Sequence, residues 1–315
     1  MGTVDSEGLR NLLSALLPGL IIDSTVKASG QRAVYFCHFD PSGILPEFAK
    51  WKNVVSKWGD VVLKVTEELQ PKEIAYLQNE IAILNKLKSS FYPILYYYEV
   101  FTHNPDTDDR LPNRIFVTVE EMIESTPLSE CADEYRNPLR ICELLMSLVD
   151  GLSLLWDHKP PLIHRDIKPE NLLIRPDGSV VIIDLGIVRE EGSIGLTAME
   201  APWGPCTPKY ASPEQANNDR DNINFKSDFY LLGVLAYELA TGENPHINSA
   251  DHSVGTVLEN VRSYEPEPLK GSHGLNEEFS NLVEKLLNKA PYQRPRSIEK
   301  LREHLAKTME ALNGN

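Results

Sequence analysis

A short polar segment near the middle of the chain carries residue types that bind metal ions and orient hydroxyl groups. Residues 164–171 read His-Arg-Asp-Ile-Lys-Pro-Glu-Asn, and Asp184 follows Asn171 by thirteen residues. Carboxylate and amide oxygens are the ligands that magnesium prefers. A carboxylate such as Asp166 can also accept a hydrogen bond from an attacking hydroxyl and orient it. The segment therefore predicts metal-assisted chemistry at a hydroxyl group.

The predicted elements around this segment bring its oxygen ligands together. Residues 172–174 and 180–183 have strand composition, and the Pro-Asp-Gly sequence at 176–178 between them is a hairpin signal. A hairpin brings its two ends together. We therefore expect Asn171 and Asp184 to reach a common metal site.

Two charged residues far upstream complete the pattern. Lys64 lies in a hydrophobic strand over 61–65, and Glu80 lies in a helix that is predicted to start near Pro71. Glu80 is at the edge of the apolar face of that helix, so it can point inward. Each of these residues alone would read as surface charge, whereas the ordered set indicates a functional site.

This ordered set resembles the Hanks-type protein kinases, including stand-alone bacterial members, over residues 20–310. The resemblance implies an α+β fold with two lobes and ATP bound between them. A small β-rich lobe with its hinge would span 19–124, and a larger helical lobe would span 125–310. Residues 1–18 would form an N-terminal helical extension, and residues 311–315 a tail.

The resemblance also implies serine/threonine protein kinase activity, with ATP and Mg²⁺ as cofactors. Phosphoryl transfer asks a protein mainly for positioning and charge neutralisation. The implied catalytic residues are Asp166, which would orient the acceptor hydroxyl, Lys168, which would neutralise the γ-phosphate, and Asn171. The implied metal ligands are Asn171 and Asp184.

The expected contacts to the nucleotide come mainly from the small lobe. Lys64 would reach the α- and β-phosphates, held by an ion pair with Glu80. The family's glycine-rich loop is poor here, since Lys27, Ser29 and Arg32 occupy its glycine positions. Their side chains hinder the approach of backbone N–H groups to phosphates, so an ordinary hairpin is the alternative. The predicted nucleotide-binding residues are Lys27, Ser29, Gly30, Val34, Val62, Lys64, Glu80, Glu120, Met122 and Leu173.

The hinge between the lobes is ambiguous by one residue. Backbone groups of Glu120 and Met122, which follow a strand over 115–119, are expected to bind adenine. If the register slips by one residue, Glu120 becomes the gatekeeper residue. Its charge disfavours that alternative, because the gatekeeper site is lined by apolar groups.

Residues 207–214 indicate a protein acceptor, since they resemble the peptide-positioning loop of protein kinases. Lys168 narrows the site around a short acceptor. Thr207 matches the residue that, in serine/threonine kinases, hydrogen-bonds the catalytic Asp and Lys. Serine and threonine are therefore the expected acceptors, rather than tyrosine.

Other matches concern support and activation. Asp228 matches the aspartate that anchors the catalytic loop, and Arg294 the arginine that pairs with the last residue of the peptide-positioning loop. Arg165 belongs to a class of arginines that often pair with a phosphate on the activation segment. Ser193 and Thr197 are the candidate phosphorylation sites, while simple packing of Arg165 is the alternative.

Composition limits the partners and the compartment. The net charge of −15 repels phosphate backbones and anionic lipid, so neither nucleic acid nor a membrane is an expected partner. Four scattered cysteines and the lack of an apolar run of ~18 residues favour a cytoplasmic protein. An apolar helix over 9–20 and an insertion over 40–60 are expected to pack on the small lobe. A docking partner or a dimer through these segments is the alternative.

Three other functions are considered. A pseudokinase scaffold that binds nucleotide without efficient turnover is favoured by the poor glycine-rich loop and opposed by the complete catalytic set. A kinase of small molecules would lack the peptide-positioning loop. A non-enzymatic interaction module has no specific support in the sequence.

Overall fold

The structure, a computed structural model, describes residues 7–29, 32–40, 59–67, 71–104, 107–185, 187–190, 206–247 and 253–314. The chain divides into two compact units, residues 1–124 and residues 125–315. The first is rich in strands and the second is mostly helical, which confirms the expected α+β class.

Unit 1 is built on one antiparallel sheet. Its helices are α1 (Glu7–Leu16) and α2 (Pro71–Lys86), and its strands are β1 (Leu20–Ser29), β2 (Arg32–Phe39), β3 (Val61–Glu67), β4 (Leu95–His103) and β5 (Arg110–Glu121). The strands lie in the order β1-β2-β3-β5-β4, so β3 and β5 are internal.

The two faces of this sheet differ because side chains alternate along each strand. On β3, Val61, Leu63 and Val65 are fully buried, whereas Val62 and Lys64 face the other side and are half-buried. Helix α1 packs on the buried face. The resulting core contains Leu9, Leu13, Leu16, Leu17, Leu20, Ala33, Tyr35, Cys37, Val61, Leu63, Val65, Ile115, Val117 and Val119. The apolar face of α1 is therefore used inside unit 1.

The expected docking or dimer surface stays a prediction. Most of the insertion over 40–60 lies outside the described residues, at positions 41–58. The exposed side of α1, which includes Asn11 and Ser14, is the part of that helix left for a partner.

The polar stretch over 103–113 is a loop only in part. His103 pairs with Arg110, so residues 110–113 belong to β5 and extend the hairpin. The turn is closed by Asn104, whose N–H donates to the Asp109 carbonyl at 2.8 Å. Polar residues are tolerated in this strand because several of their side chains face solvent.

Unit 2 contains eight α-helices and five short strands among the described residues. Its strands are β6 (Thr126–Pro127), β7 (Leu162–Ile163), β8 (Leu172–Ile174), β9 (Val180–Ile182) and β10 (Arg189–Glu190). Its helices are α3 (Leu128–Cys131), α4 (Pro138–Trp156), α5 (Pro213–Ala216), α6 (Phe225–Thr241), α7 (Val254–Ser263), α8 (Leu269–Ser272), α9 (Glu277–Leu286) and α10 (Ile298–Asn313). The predicted hairpin is confirmed as β8 and β9, with Gly178 in the left-handed conformation at its turn. Helix α10 runs three residues past the boundary predicted at 310.

Helix α6 is the centre of unit 2. It begins at Asn224, whose side chain accepts a hydrogen bond from the Lys226 N–H at 2.9 Å, and it ends at Gly242 with a φ of 82°. A left-handed residue after a helix is most often glycine, since glycine has no Cβ to clash. Every residue from 227 to 237 is buried, as the apolar sequence predicts. In the part of the chain that the structure describes, no helix has the length and apolar character needed to cross a membrane.

A buried histidine lies against α6. His246 stacks on Tyr230 with ring centroids 5.8 Å apart, and its Nε2 is 3.2 Å from the tyrosine hydroxyl. The Lys289 ammonium donates to the same hydroxyl at 3.0 Å. Burial, followed by the positive charge of Lys289, lowers the pKa of His246 to about 3.

We expect Leu13→Ala to destabilise unit 1 by about 2–5 kcal/mol, because truncating a buried leucine loses transfer free energy and leaves a cavity. Urea unfolding, followed by circular dichroism, measures the loss in the free energy of unfolding. The control is Asn11→Ala on the exposed side of the same helix, which should change stability by less than about 0.5 kcal/mol. Equal stability of the two variants would show that α1 does not contribute to the core.

We expect unit 2 to lose stability as the pH falls below 6.5. The folded pKa of His246 lies below its unfolded value of 6.5, so only the unfolded chain binds the proton, and acid favours unfolding from pH 6.5 down to about 3. Each pH unit in this window costs about 1.4 kcal/mol. The His246→Phe variant keeps the ring but should show a slope smaller by about one proton in urea unfolding at several pH values. The exposed His103→Gln serves as control, and an unchanged slope in His246→Phe would contradict the assignment.

Candidate active site

The segment 164–171 is held by a buried carboxylate on α6. Asp228, which is fully buried, accepts hydrogen bonds from the backbone N–H of His164 at 2.9 Å and of Arg165 at 2.8 Å. It also accepts one from Trp156 Nε1 at 2.8 Å. Burial raises the pKa of Asp228, while His164 and these donors oppose the rise. The expected role of Asp228 as anchor of this loop is confirmed.

Two residues of the loop depend on this anchor. Arg165 has a φ of 72°, a left-handed backbone that costs a non-glycine residue about 1–3 kcal/mol. Its N–H is fixed by Asp228, and its carbonyl accepts a hydrogen bond from Gln215 Nε2 at 2.9 Å. Burial lowers the pKa of His164, so its neutral ring can accept the Asp166 N–H at Nδ1, 3.3 Å away. The backbone of the loop at Arg165 is therefore held at its N–H by Asp228 and at its carbonyl by Gln215.

The Asp166 carboxylate is oriented by three donors. Oδ2 accepts from Lys168 Nζ at 2.6 Å and from Asn171 Nδ2 at 3.0 Å, while Oδ1 accepts from the Thr207 hydroxyl at 2.7 Å. A carboxylate has about four lone-pair positions. One position is thus left, and it can accept the hydroxyl of an acceptor.

Thr207 closes a ring of polar contacts. Its hydroxyl donates to Asp166 and accepts from Lys168 Nζ at 2.8 Å. The expected bonding of Thr207 to both residues is confirmed. The side chain of Lys168 is 18% exposed, so its ammonium can still meet a ligand.

A backbone hydrogen bond brings together Asn171 and Asp184, the two residues proposed to hold magnesium. The Ile183 N–H donates to the Asn171 carbonyl at 2.9 Å, which places Asp184 directly after a residue bonded to Asn171. Asp184 is exposed and has a φ of 64°. Within the described ranges, no group of three or more His, Cys, Asp or Glu side chains could hold a metal ion. Oxygen ligands from one carboxylate and one amide nevertheless suit Mg²⁺, whose other ligands are commonly phosphates and water.

A buried ion pair lies at the end of the segment 207–214, which is predicted to position a peptide. Arg294 and Glu214 meet at 2.7 Å with both side chains almost fully buried, as the resemblance predicts. Glu214 also accepts a hydrogen bond from Ser227 at the start of α6. The segment and the loop are joined further by Gln215, since α5 carries it toward Arg165.

Three of the predicted nucleotide residues of unit 1, together with Arg32, form a cluster of four buried or half-buried charges. Lys64 Nζ lies 3.7 Å from Glu80 Oε1, within ion-pair range as expected but without a hydrogen bond. It lies closer to Glu120, at 2.8 Å. Glu80 is in turn bonded to Arg32 at 2.6 Å.

The remaining predicted contacts are distributed over both units. Val34 is paired with Lys64, and Val62 with Glu120, so these side chains share one face of the sheet. Leu173 lies half-buried in β8 of unit 2. The backbone of Lys27 and Ser29 lies in β1, and Gly30 is outside the described residues, as are Ser193 and Thr197.

The hinge prediction is modified by the register of β5. Glu120 pairs with Val62 on one side and with Leu95 on the other, and the Met122 N–H donates to the Asp60 carbonyl at 3.4 Å. The Glu120 side chain lies on the same face of the sheet as Lys64, which fits the alternative in which Glu120 is the gatekeeper residue. The negative charge of Glu120, which argued against that alternative, is neutralised by Lys64. Backbone contact of adenine with Glu120 and Met122 stays a prediction.

Four supporting residues escaped the sequence analysis. The resemblance places Arg32 only at a glycine position of the glycine-rich loop. A positive charge in a predicted strand could have indicated a partner for Glu80. Gln215, Trp156 and Thr118 lie outside the short motifs and touch the site through their side chains. Only the folded chain brings them near the motif residues.

Comparison with known proteins identifies a family and several relatives. The protein kinase domain family matches residues 51–305. The probable serine/threonine-protein kinase SCO3848 of Streptomyces coelicolor is 31% identical over 186 residues, covering 58% of this chain and 27% of that protein. The serine/threonine-protein kinase PknB of Mycobacterium tuberculosis is 32% identical over 171 residues, covering 54% and 26%. PknL of the same species is 34% identical over 168 residues, covering 52% and 40%. The matched part thus spans less than half the length of each relative.

We expect Asp228→Ala to destabilise unit 2 by several kcal/mol, because it leaves three buried N–H donors without an acceptor at about 1–3 kcal/mol each. Amide hydrogen exchange should accelerate at His164 and Arg165. The control Trp156→Phe removes only one donor and should leave exchange at both amides slow. Slow exchange in Asp228→Ala as well would contradict the anchoring role.

Proposed function

Because this chain belongs to the protein kinase domain family, we propose that it transfers the γ-phosphoryl group of ATP to serine and threonine hydroxyls of proteins. The observation that carries the proposal is the closed network of Asp166, Lys168, Asn171 and Thr207, which leaves one lone-pair position of the Asp166 carboxylate for a hydroxyl. The two units correspond to the small β-rich lobe and the larger helical lobe of that family.

The chain's own residues act by position and charge. Asp166 accepts the hydrogen bond of the acceptor hydroxyl, orients its oxygen toward the γ-phosphorus and receives the hydroxyl proton as the oxygen–phosphorus bond forms. Lys168 neutralises charge on the transferred group, and Lys64 on the α- and β-phosphates, each as a point charge. When bound, Mg-ATP supplies the phosphoryl group and the ADP leaving group. Asp184 and Asn171 would provide oxygen ligands for the magnesium ion.

The short acceptor preference is supported by the geometry around Asp166. Lys168 and Thr207 bond to both oxygens of this carboxylate, so the approach is narrowed on two sides. Serine and threonine hydroxyls lie close to the peptide backbone, whereas a tyrosine hydroxyl lies several ångströms farther out. The intact segment over 207–216, with its buried Glu214–Arg294 pair, supports a peptide acceptor over a small molecule.

We expect the purified chain to form phosphoserine or phosphothreonine on a basic protein in Mg-ATP, detected by mass spectrometry. Asp166→Asn should lower turnover by about 10²–10⁴-fold through loss of the orienting base. Asp184→Asn and Asn171→Ala should abolish turnover, and Thr207→Ala should leave far less phosphate. All four variants should keep the melting temperature within a few degrees of that of the parent chain.

The matched control is Asp177→Asn, an exposed carboxylate in the β8–β9 turn, which should leave turnover unchanged. Dominant phosphotyrosine, or transfer only to a small molecule, would overturn the acceptor assignment. Nucleotide binding without any transfer would indicate a pseudokinase scaffold. Full turnover in Asp184→Asn would overturn the metal assignment.

A further inference from the structure

Lys64 is divided between two buried carboxylates, and the shorter contact is not the one to Glu80. Its Nζ lies 2.8 Å from Glu120 and 3.7 Å from Glu80. The Glu80 oxygen facing Lys64, Oε1, has no hydrogen bond, while its other oxygen is held by Arg32 at 2.6 Å. The lysine is therefore bonded to Glu120, and Arg32 has become the closer partner of Glu80.

The strand register accounts for the Glu120 contact. Lys64 pairs directly with Thr118, and Glu120 lies two residues farther along β5 on the same face. Such diagonal neighbours are about 7–8 Å apart, within reach of a long side chain. The Thr118 hydroxyl donates to Glu120 Oε1 at 3.1 Å, while Lys64 holds Oε2. Both oxygens of Glu120 are thus fixed.

The four charges balance one another. Glu80 and Glu120 are 2% and 3% exposed, and a buried carboxylate is costly without a cation beside it. Arg32 and Lys64 supply two positive charges for the two negative ones. Burial lowers the pKa of Lys64, but Glu120 and then Glu80 raise it further, so the net shift is upward. Lys64 therefore stays charged, and it can neutralise either Glu80 or Glu120.

We propose that Glu120 is a positioning residue that competes for Lys64 with both Glu80 and the phosphates of a bound nucleotide, and so weakens nucleotide binding. The inference rests on the proposed role of Lys64 in binding ATP. Nucleotide must draw Lys64 away from Glu120, and the carboxylate left behind repels the phosphates. Removing the charge of Glu120 frees Lys64 to pair with Glu80 and to bind phosphate.

The decisive variant is Glu120→Gln, which keeps the size of the side chain and an acceptor for Thr118 while removing the charge. We expect its Kd for ADP, measured by calorimetry, to fall about 5–20-fold, and its KM for ATP to fall while kcat changes less. The matched control is Glu121→Gln, the adjacent carboxylate on the opposite face of β5, whose Kd should equal that of the parent chain. Thr118→Val, which removes the donor to Glu120 Oε1 but keeps every charge, leaves Glu120 more dependent on Lys64 and should weaken ADP binding.

A double-mutant cycle tests the competition itself. Glu80→Gln should weaken ADP binding more in the Glu120→Gln background than in the parent chain, because only there does Glu80 hold Lys64. An unchanged or higher Kd in Glu120→Gln, with nucleotide still bound by the parent chain, would overturn this inference alone. Failure of the parent chain to bind any nucleotide would overturn the proposed function and this inference together.

Discussion

The site in unit 2 depends on one buried carboxylate. Asp228 lies on the central helix α6 and binds two successive backbone N–H groups of the loop that carries Asp166. Without it, the left-handed backbone of Arg165 would have no compensation on its N–H side. These hydrogen bonds fix the loop, which has little regular structure of its own, to a helix that is packed on all sides.

The two units differ in how their buried charges are paired. In unit 2, the Asp166 carboxylate and the Glu214–Arg294 pair have short contacts to well-defined partners, so each has one arrangement. In unit 1, two carboxylates share two cations, and at least two pairings of similar charge balance can be drawn. A fully satisfied polar network specifies one geometry. The cluster around Lys64 lacks that property and is suited to respond to a ligand.

The sequence predicts the site best where the chemistry lies in one short stretch. Asp166, Lys168 and Asn171 occur within six residues, so their proximity follows from chain connectivity alone. The role of Glu120 could not be predicted in the same way, because a one-residue change in strand register moves a side chain to the other face. Arg32 and Gln215 act across 48 and 50 residues of sequence, and no local pattern signals such contacts. Strand β4 was also missed, although its three consecutive tyrosines are typical of strands.

The position of α1 affects where the protein can be divided. The family match begins at residue 51, whereas the core of unit 1 draws on α1, β1 and β2, all of which precede that residue. A fragment that starts at the family boundary would turn β3 from an internal strand into a sheet edge and would uncover Leu63 and Val65. Apolar, unpaired strand edges promote aggregation by pairing with other chains. Such a fragment would therefore fail through insolubility even though every recognised catalytic motif is present.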